Sequence, residues 1–259
     1  MKRAAAALVL VAAALSFRPL AKLYLEKRLI RVAGPGPAVF DVPHEALTFE
    51  SGGRKLRGYW VPADGPGLLL FHGNAESIAH WPQALRLLHE AGIAAMVFDY
   101  SGYGSSEGPA SLANFHQDAI AAWRVFREKL PQGRRACAYG LSLGSAVLLE
   151  AAHDLAPDCV VITSSFLSVR EAAAVKHQIP RWLMPFMPDA LDNRTARYDG
   201  PLLIQHGTDD ELFPPAWAPV LQKAHPRARL AIIPGMQHAD PVERPSAANW
   251  RAAIDFIKE

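Results

Sequence analysis

Cysteine is nearly absent: the 259-residue chain has two, Cys137 and Cys159. Two thiolates cannot complete a cysteine-based zinc site by themselves. Each sits in an apolar segment that reads as a buried strand, so the pair is expected to be two inert core thiols. The ten histidines show no H-E-x-x-H spacing, and no metal or cofactor is expected. An excess of one charge is lacking too. There are 27 basic and 25 acidic residues, for a net charge of +2. No basic block is interleaved with aromatics, which removes nucleic acid as an expected partner. There is no internal repeat, and no low-complexity tract beyond the N-terminal alanines. Apolar residues, by contrast, make up half the chain, enough for one sizeable core.

The first residues stand apart. Lys2 and Arg3 precede an uncharged apolar run from Ala4 to Phe17, the pattern of a secretory signal or signal anchor. The run is about 14 residues, short of the ~20 that span a bilayer comfortably. Ala12-Ala13-Ala14 offers small residues for cleavage, but inside the run rather than after it. Arg18 to Arg31 reads as a basic helix able to rest on anionic lipid. An ordinary helix packed on the domain is the competing reading, and its all-round apolar, alanine-rich character opposes that. Residues 1–31 are therefore expected to be an uncleaved membrane anchor and basic helix. The extracytoplasmic side is slightly favoured for the domain.

Gly34-Pro35-Gly36-Pro37 then opens a linker over 32–44. Ala46–Phe49 and Leu56–Val61, joined by Ser51-Gly52-Gly53-Arg54, predict an antiparallel hairpin. From Gly67 onward short apolar strands alternate with amphipathic helices. The strands are Leu68–Phe71, Ile93–Phe98, Arg135–Tyr139, Cys159–Thr163, Leu202–Gln205 and Leu230–Ile233. The intervening helices run through Ile78, Trp81, Leu85 and Leu88, then Leu112–Leu130, Leu143–His153, Trp217–His225 and Ala247–Lys258. This alternation predicts an α/β domain over 45–259, a parallel sheet with helices on both faces. Ser165–Arg197 breaks the rhythm. It holds Phe166, Leu167, Ile179, Trp182, Leu183, Met184, Phe186 and Met187, interrupted by Pro180, Pro185 and Pro188. It reads either as a lid lining an acyl pocket or as an insertion that only covers one end of the sheet.

Gly140-Leu141-Ser142-Leu143-Gly144 fits G-x-S-x-G, and so does Gly104-Ser105-Ser106-Glu107-Gly108. Context separates them. The second match begins five residues after Asp99, beyond its strand, and is followed by Pro109. The first follows its strand at once and leads into a helix. Ser142 thus has the strand–turn–helix setting that a nucleophile needs.

A hydroxyl needs a base, and this order of elements places it after the last strand. His238, in the loop beginning Pro234-Gly235, is the candidate. His225 ends a helix on the wrong side of the sheet, and His206 at a strand end reads as structural. The acid should follow Leu202–Gln205, where Asp209, Asp210 and Glu211 are adjacent. Asp210 is chosen as the central residue of that loop, with the other two expected to cap the next helix. The expected oxyanion donors are the backbone N–H groups of Leu143 and of Asn74 in His72-Gly73-Asn74. The Asn74 side chain and His72 are expected to brace that loop.

In this order, His72-Gly73-Asn74, Asp99–Gly108, Gly140–Gly144, His206–Pro214 and His238 resemble the motifs of small single-domain α/β hydrolases. The nearest group resembles the membrane-anchored serine hydrolases related to the fungal bud-emergence suppressor protein. The resemblance covers roughly Val39 to the C-terminus. It implies an eight-stranded, mostly parallel sheet, with Ser142, Asp210 and His238 in the triad positions. Gln237-His238-Ala239 departs from the Gly-His-Asn of many relatives. The expected reaction is hydrolysis of a small-molecule carboxylic ester or thioester through an acyl-serine. Amide or peptide hydrolysis by the same residues and a non-catalytic membrane-tethered scaffold are the alternatives. A dehalogenase would carry Asp at position 142.

Overall fold

The computed structural model describes residues 30–177 and 191–259. The strands are β1 (Glu45–Ser51), β2 (Arg54–Val61), β3 (Gly67–Phe71), β4 (Ala94–Phe98), β5 (Ala136–Leu141), β6 (Cys159–Thr163), β7 (Leu202–Gly207) and β8 (Arg229–Ile233). They form one eight-stranded sheet in the order β1-β2-β4-β3-β5-β6-β7-β8. Only β2 runs against the others, pairing antiparallel with β1 and β4. The remaining neighbours pair in parallel.

The helices are α1 (Pro82–Glu90), α2 (Leu112–Lys129), α3 (Leu143–Leu155), α4 (Val169–His177), α5 (Trp217–Ala224), α6 (Asp240–Glu243) and α7 (Ala247–Lys258). Strand side chains alternate between faces, and the core divides accordingly. Leu69, Phe71, Met96 and Phe98 pack with Phe115 and Phe126 of α2, Val147 of α3 and Leu221 of α5. Leu68, Leu70, Ala95 and Val97 pack with Leu85 and Leu88 of α1 and with Trp250 and Phe256 of α7. The central strands are buried on both faces, which is why they read as continuous apolar runs.

The helix expected across Ile78–Leu88 divides in two. Ile78–His80 forms a 3₁₀ turn, and α1 starts with Pro82 in its first turn, where the missing N–H has no intrahelical acceptor to lose. β5 runs two residues further than expected and ends directly against Ser142. Residues 30–44 form neither helix nor strand, yet Ala38, Phe40 and Val42 pack on the α1/α7 side of the core. Ile30 and Arg31, the end of the expected basic helix, lie in this segment. The expected anchor itself falls on residues outside the described ones. Among the described residues no helix is long and apolar enough to cross a membrane.

The cysteines correct one expectation. They are not free thiols but form a disulfide, Cys137–Cys159. Both are fully buried. Cys137 on β5 and Cys159 on β6 are register partners, with Cα atoms 4.6 Å apart, inside the range a disulfide bridges. The pairing depends on register between two strands, which each strand's own sequence does not reveal. Thiol counting under denaturing, non-reducing conditions should find no free thiol. Replacing both cysteines by alanine should cost about 3 kcal/mol in urea unfolding, the closure entropy of a loop this long. Two titratable thiols in the unreduced protein would refute the pairing.

Candidate active site

The strand–turn–helix around Ser142 is built by close approach. Ser142 sits at φ 53° and ψ −114°, a region that side chains adopt only when their surroundings fix it. Its N–H donates to Thr163 O at 3.0 Å, and Ser145 Oγ donates to Gly140 O at 2.7 Å. A Cβ on Gly140 would lie 2.6 Å from Gly144 O, and one on Gly144 would lie 2.0 Å from Phe71 O. The two glycines are therefore steric requirements. The other matching serine does something else. Ser106 Oγ donates to Asp99 O at 2.8 Å and accepts from Arg57 N at 2.9 Å, bracing a turn against β2.

Ser142, His238 and Asp210 converge, all three buried. His238 Nδ1 lies 2.9 and 3.0 Å from the Asp210 carboxylate oxygens. An ionised carboxylate only accepts, so Nδ1 carries the hydrogen and Nε2 keeps its lone pair. Nε2 is 3.0 Å from Ser142 Oγ, within reach of the hydroxyl proton. Phe213 packs edge-on to the imidazole, with ring centroids 5.2 Å apart.

The acid loop differs from expectation in its details. Asp210 Oδ1 itself takes the N–H groups of Leu212 and Phe213, at 2.9 and 2.8 Å. The two flanking carboxylates have other partners. Asp209 is exposed and accepts from Thr208 Oγ1, and Glu211 accepts the backbone N–H of His238 at 3.1 Å. His206, read as structural, belongs to the site. Its Nε2 lies 3.1 Å from Asp210 Oδ2 and 3.2 Å from Phe213 O. Both neighbours are acceptors, so that nitrogen is protonated. Burial alone would raise the Asp210 pKa. The hydrogen bonds from His206 and His238, the charge of His238 and the Phe213 N–H outweigh it and hold the carboxyl well below the usual range. The i, i+4 spacing of His206 and Asp210 was the available signal. His225 is committed elsewhere, with Nε2 2.6 Å from Asn193 O.

The segments carrying the two expected oxyanion donors abut where Gly144 meets Phe71 and His72. Leu143 opens α3, so its N–H has no intrahelical acceptor. Behind Asn74 the loop is braced from several directions. His72 Nδ1 donates to Gly73 O at 2.8 Å, and Tyr100 OH donates to His72 O at 3.1 Å. Glu76 accepts the Gly73 N–H at 2.8 Å. Burial lowers the His72 pKa to about 4, leaving it neutral. Burial raises the Glu76 pKa to about 7, partly offset by the Gly73 N–H and reinforced by Glu243.

The expected lid is described only in part. Phe166 and Leu167 are buried, and Phe166 packs edge-on to Phe213 with centroids 5.4 Å apart. Ile179, Trp182, Leu183, Met184, Phe186 and Met187 lie outside the described residues. Among the described residues no cluster of three or more metal-ligating side chains occurs.

This fold, with its assembled residues at the C-terminal ends of the strands, defines an α/β hydrolase. The chain belongs to the family described as serine aminopeptidase, S33, whose family model matches residues 66–195. The Mycobacterium tuberculosis protein Rv2307c is 29% identical over 249 residues, 90% of this chain and 86% of its own length. The lysophosphatidylserine lipase ABHD12 of Danio rerio is 28% identical over 171 residues, 58% of this chain and 44% of its own. Among solved structures, the Pyrococcus furiosus esterase Pf2001 superposes with a TM-score of 0.69 at 17% identity, covering 88% of this chain and 98% of that one. That likeness concerns the fold.

Glu76 gives a pH-dependent prediction. Its pKa rises from 4.5 in the open chain to about 7 in the fold, so the folded state holds the proton more tightly. The stability it contributes is present below about pH 4.5 and is lost as pH climbs through about 7. Glu76→Gln should therefore raise Tm at pH 8 by roughly 5 °C relative to the parent, and change it little at pH 4. An equal shift at both pH values would contradict this.

Proposed function

We propose that the protein is a serine hydrolase that cleaves a carboxylic ester or thioester through an acyl-serine intermediate. The observation that carries this reading is the unbroken relay Ser142 Oγ, His238 and Asp210. His238 Nε2 takes the Ser142 proton as Oγ attacks the acyl carbon. Asp210 fixes the imidazole tautomer and stabilises the imidazolium that forms. The N–H groups of Asn74 and Leu143 stabilise the tetrahedral oxyanion. His238 then protonates the leaving alcohol or thiol. In the second half, water attacks the acyl-serine with His238 as base, releasing the acid and restoring Ser142.

The name of the zebrafish relative, a lysophosphatidylserine lipase, supports an ester substrate. The family's description as serine aminopeptidase supports the second reading, amide hydrolysis by the same residues. Parallel assays with p-nitrophenyl acyl esters and aminoacyl p-nitroanilides separate them, and faster turnover of the esters is expected. The site's assembled geometry speaks against a non-catalytic scaffold. The reading also includes kinship with the bud-emergence suppressor group and tethering by residues 1–31, with the domain on the extracytoplasmic side. The Cys137–Cys159 disulfide supports an oxidising compartment. Membrane fractionation should leave the intact chain in the pellet after a high-salt wash. An uncleaved, freely soluble chain would remove the anchor.

Ser142→Ala should abolish labelling by a fluorophosphonate probe, whereas Ser106→Ala should retain it. Asp210→Asn leaves His238 free to adopt the wrong tautomer and should lower kcat by ~10⁴. Asp209→Asn removes an exposed charge and should cost no more than ~10-fold. The opposite ranking of the two aspartates would transfer the role to Asp209.

A further inference from the structure

Three consecutive residues of the oxyanion loop are pinned, Gly73 from within the loop and Asn74 and Ala75 from outside it. Gly73 is held through its N–H by Glu76. The Asn74 side-chain oxygen accepts from Arg31 N at 2.8 Å and from Tyr103 OH at 3.0 Å. The Ala75 N–H donates to Arg31 O at 2.8 Å. One residue, Arg31, thus grips two neighbours with its own N–H and C=O. Ala75 needs the grip, because it sits at φ 62°, a left-handed conformation that alanine leaves unless something captures it. The segment carrying Arg31 is itself fixed on both sides. Ile30 packs on the α2/α3 side of the core, and Gly104 N donates to Ala33 O at 2.8 Å. Tyr103 is fully buried, so its hydroxyl is a rigid second support.

We infer that Ile30–Ala33 is a positioning strap for the oxyanion loop, acting through the Arg31 main chain and, with Tyr103, aiming the Asn74 N–H. This inference rests on the reading of Asn74 as an oxyanion donor. The segment that leads into the domain is then part of the machinery that readies the site. An N–H aimed by fixed partners is preorganised for the charge that develops, and a donor free to swing is not. Loss of the strap should therefore weaken transition-state binding while leaving ground-state binding in place.

The test uses the full-length chain. Arg31→Pro deletes the donor to Asn74 and keeps the carbonyl that holds Ala75. Tyr103→Phe deletes the second donor and preserves the ring. Each should lower kcat about 10- to 100-fold with KM within about twofold. Affinity for a trifluoromethyl ketone, whose adduct carries an oxyanion, should fall in step with kcat. Each variant is also combined with Asn74→Ala. If the support acts through the Asn74 side chain, each double variant loses no more than Asn74→Ala alone. Should Arg31→Pro not fold, Ile30→Ala, which loosens the strap's packing on the core, takes its place in the same cycle with Asn74→Ala. Additive losses, losses carried in KM, or unchanged kcat in both variants would overturn the strap. Turnover retained by Ser142→Ala would instead show that the reading of the site itself had failed.

Discussion

The site depends on one steric constraint, the contact between the start of α3 and the end of β3. Only glycine at position 144 lets the helix start this close to the Phe71 and His72 carbonyls. That approach sets Ser142 at positive φ and brings the first N–H groups of α3 beside the loop that follows β3. The loop that carries Asn74 and the helix that Leu143 opens are thereby neighbours without either connection having to be long. The anchoring of Ser142 N to Thr163 O and of Ser145 Oγ to Gly140 O prevents the turn from relaxing. The strain at Ser142 is held by a rigid sheet, which is how such conformations persist.

A second close approach brings Asp210 and His238 together. A Cβ on Gly207 would lie 1.9 Å from Met236 O, so the end of β7 passes directly against the loop after β8. The Thr208 N–H donates to Ile233 O at 3.0 Å and the Asp209 N–H to Met236 O at 3.2 Å. Thr208 Oγ1 accepts the Gly235 N–H at 2.8 Å. Two loops from neighbouring strands are thereby stitched into one unit before Asp210 and His238 meet. Glu211 adds a further link by accepting the His238 backbone N–H. His238 is thus oriented through its ring by Asp210 and fixed through its main chain by the adjacent Glu211.

What the sequence made legible follows from the range of the forces involved. Apolar runs and helical periodicity are local, and they located the strands, the helices and their alternation. The setting of Ser142 between a strand and a helix is also local, and it separated Ser142 from Ser106. Contacts that depend on how distant segments lie against one another were not legible. The disulfide needs Cys137 and Cys159 in register on adjacent strands. His206 looked like an ordinary strand-end residue until the loop folded Asp210 back over it. Arg31 looked like the end of a basic helix, yet its main chain is spent on Asn74 and Ala75. Each of these depends on tertiary geometry rather than composition.

The charges around the site are arranged unequally, and the inequality suits the proposed acyl transfer. Asp210 is surrounded by donors: two imidazoles and two backbone N–H groups. It stays ionised despite burial, as the imidazolium of the proposed mechanism would require. Behind the oxyanion loop the opposite holds. Glu76 is held by the Gly73 N–H, and Asp99 accepts the Ile78 N–H at 2.8 Å. Burial outweighs these bonds and raises the two carboxyls to about 7 and about 6. His72 beside them is neutral. A permanent anion behind the loop would oppose the negative charge that develops on the acyl oxygen, and low-dielectric surroundings would strengthen that opposition. Burial outweighs the donors these carboxyls have, so both ionise less readily than Asp210. The fold thus keeps Asp210 ionised beside His238 and makes Glu76 and Asp99 harder to ionise behind Asn74, a distribution that suits the proposed reaction.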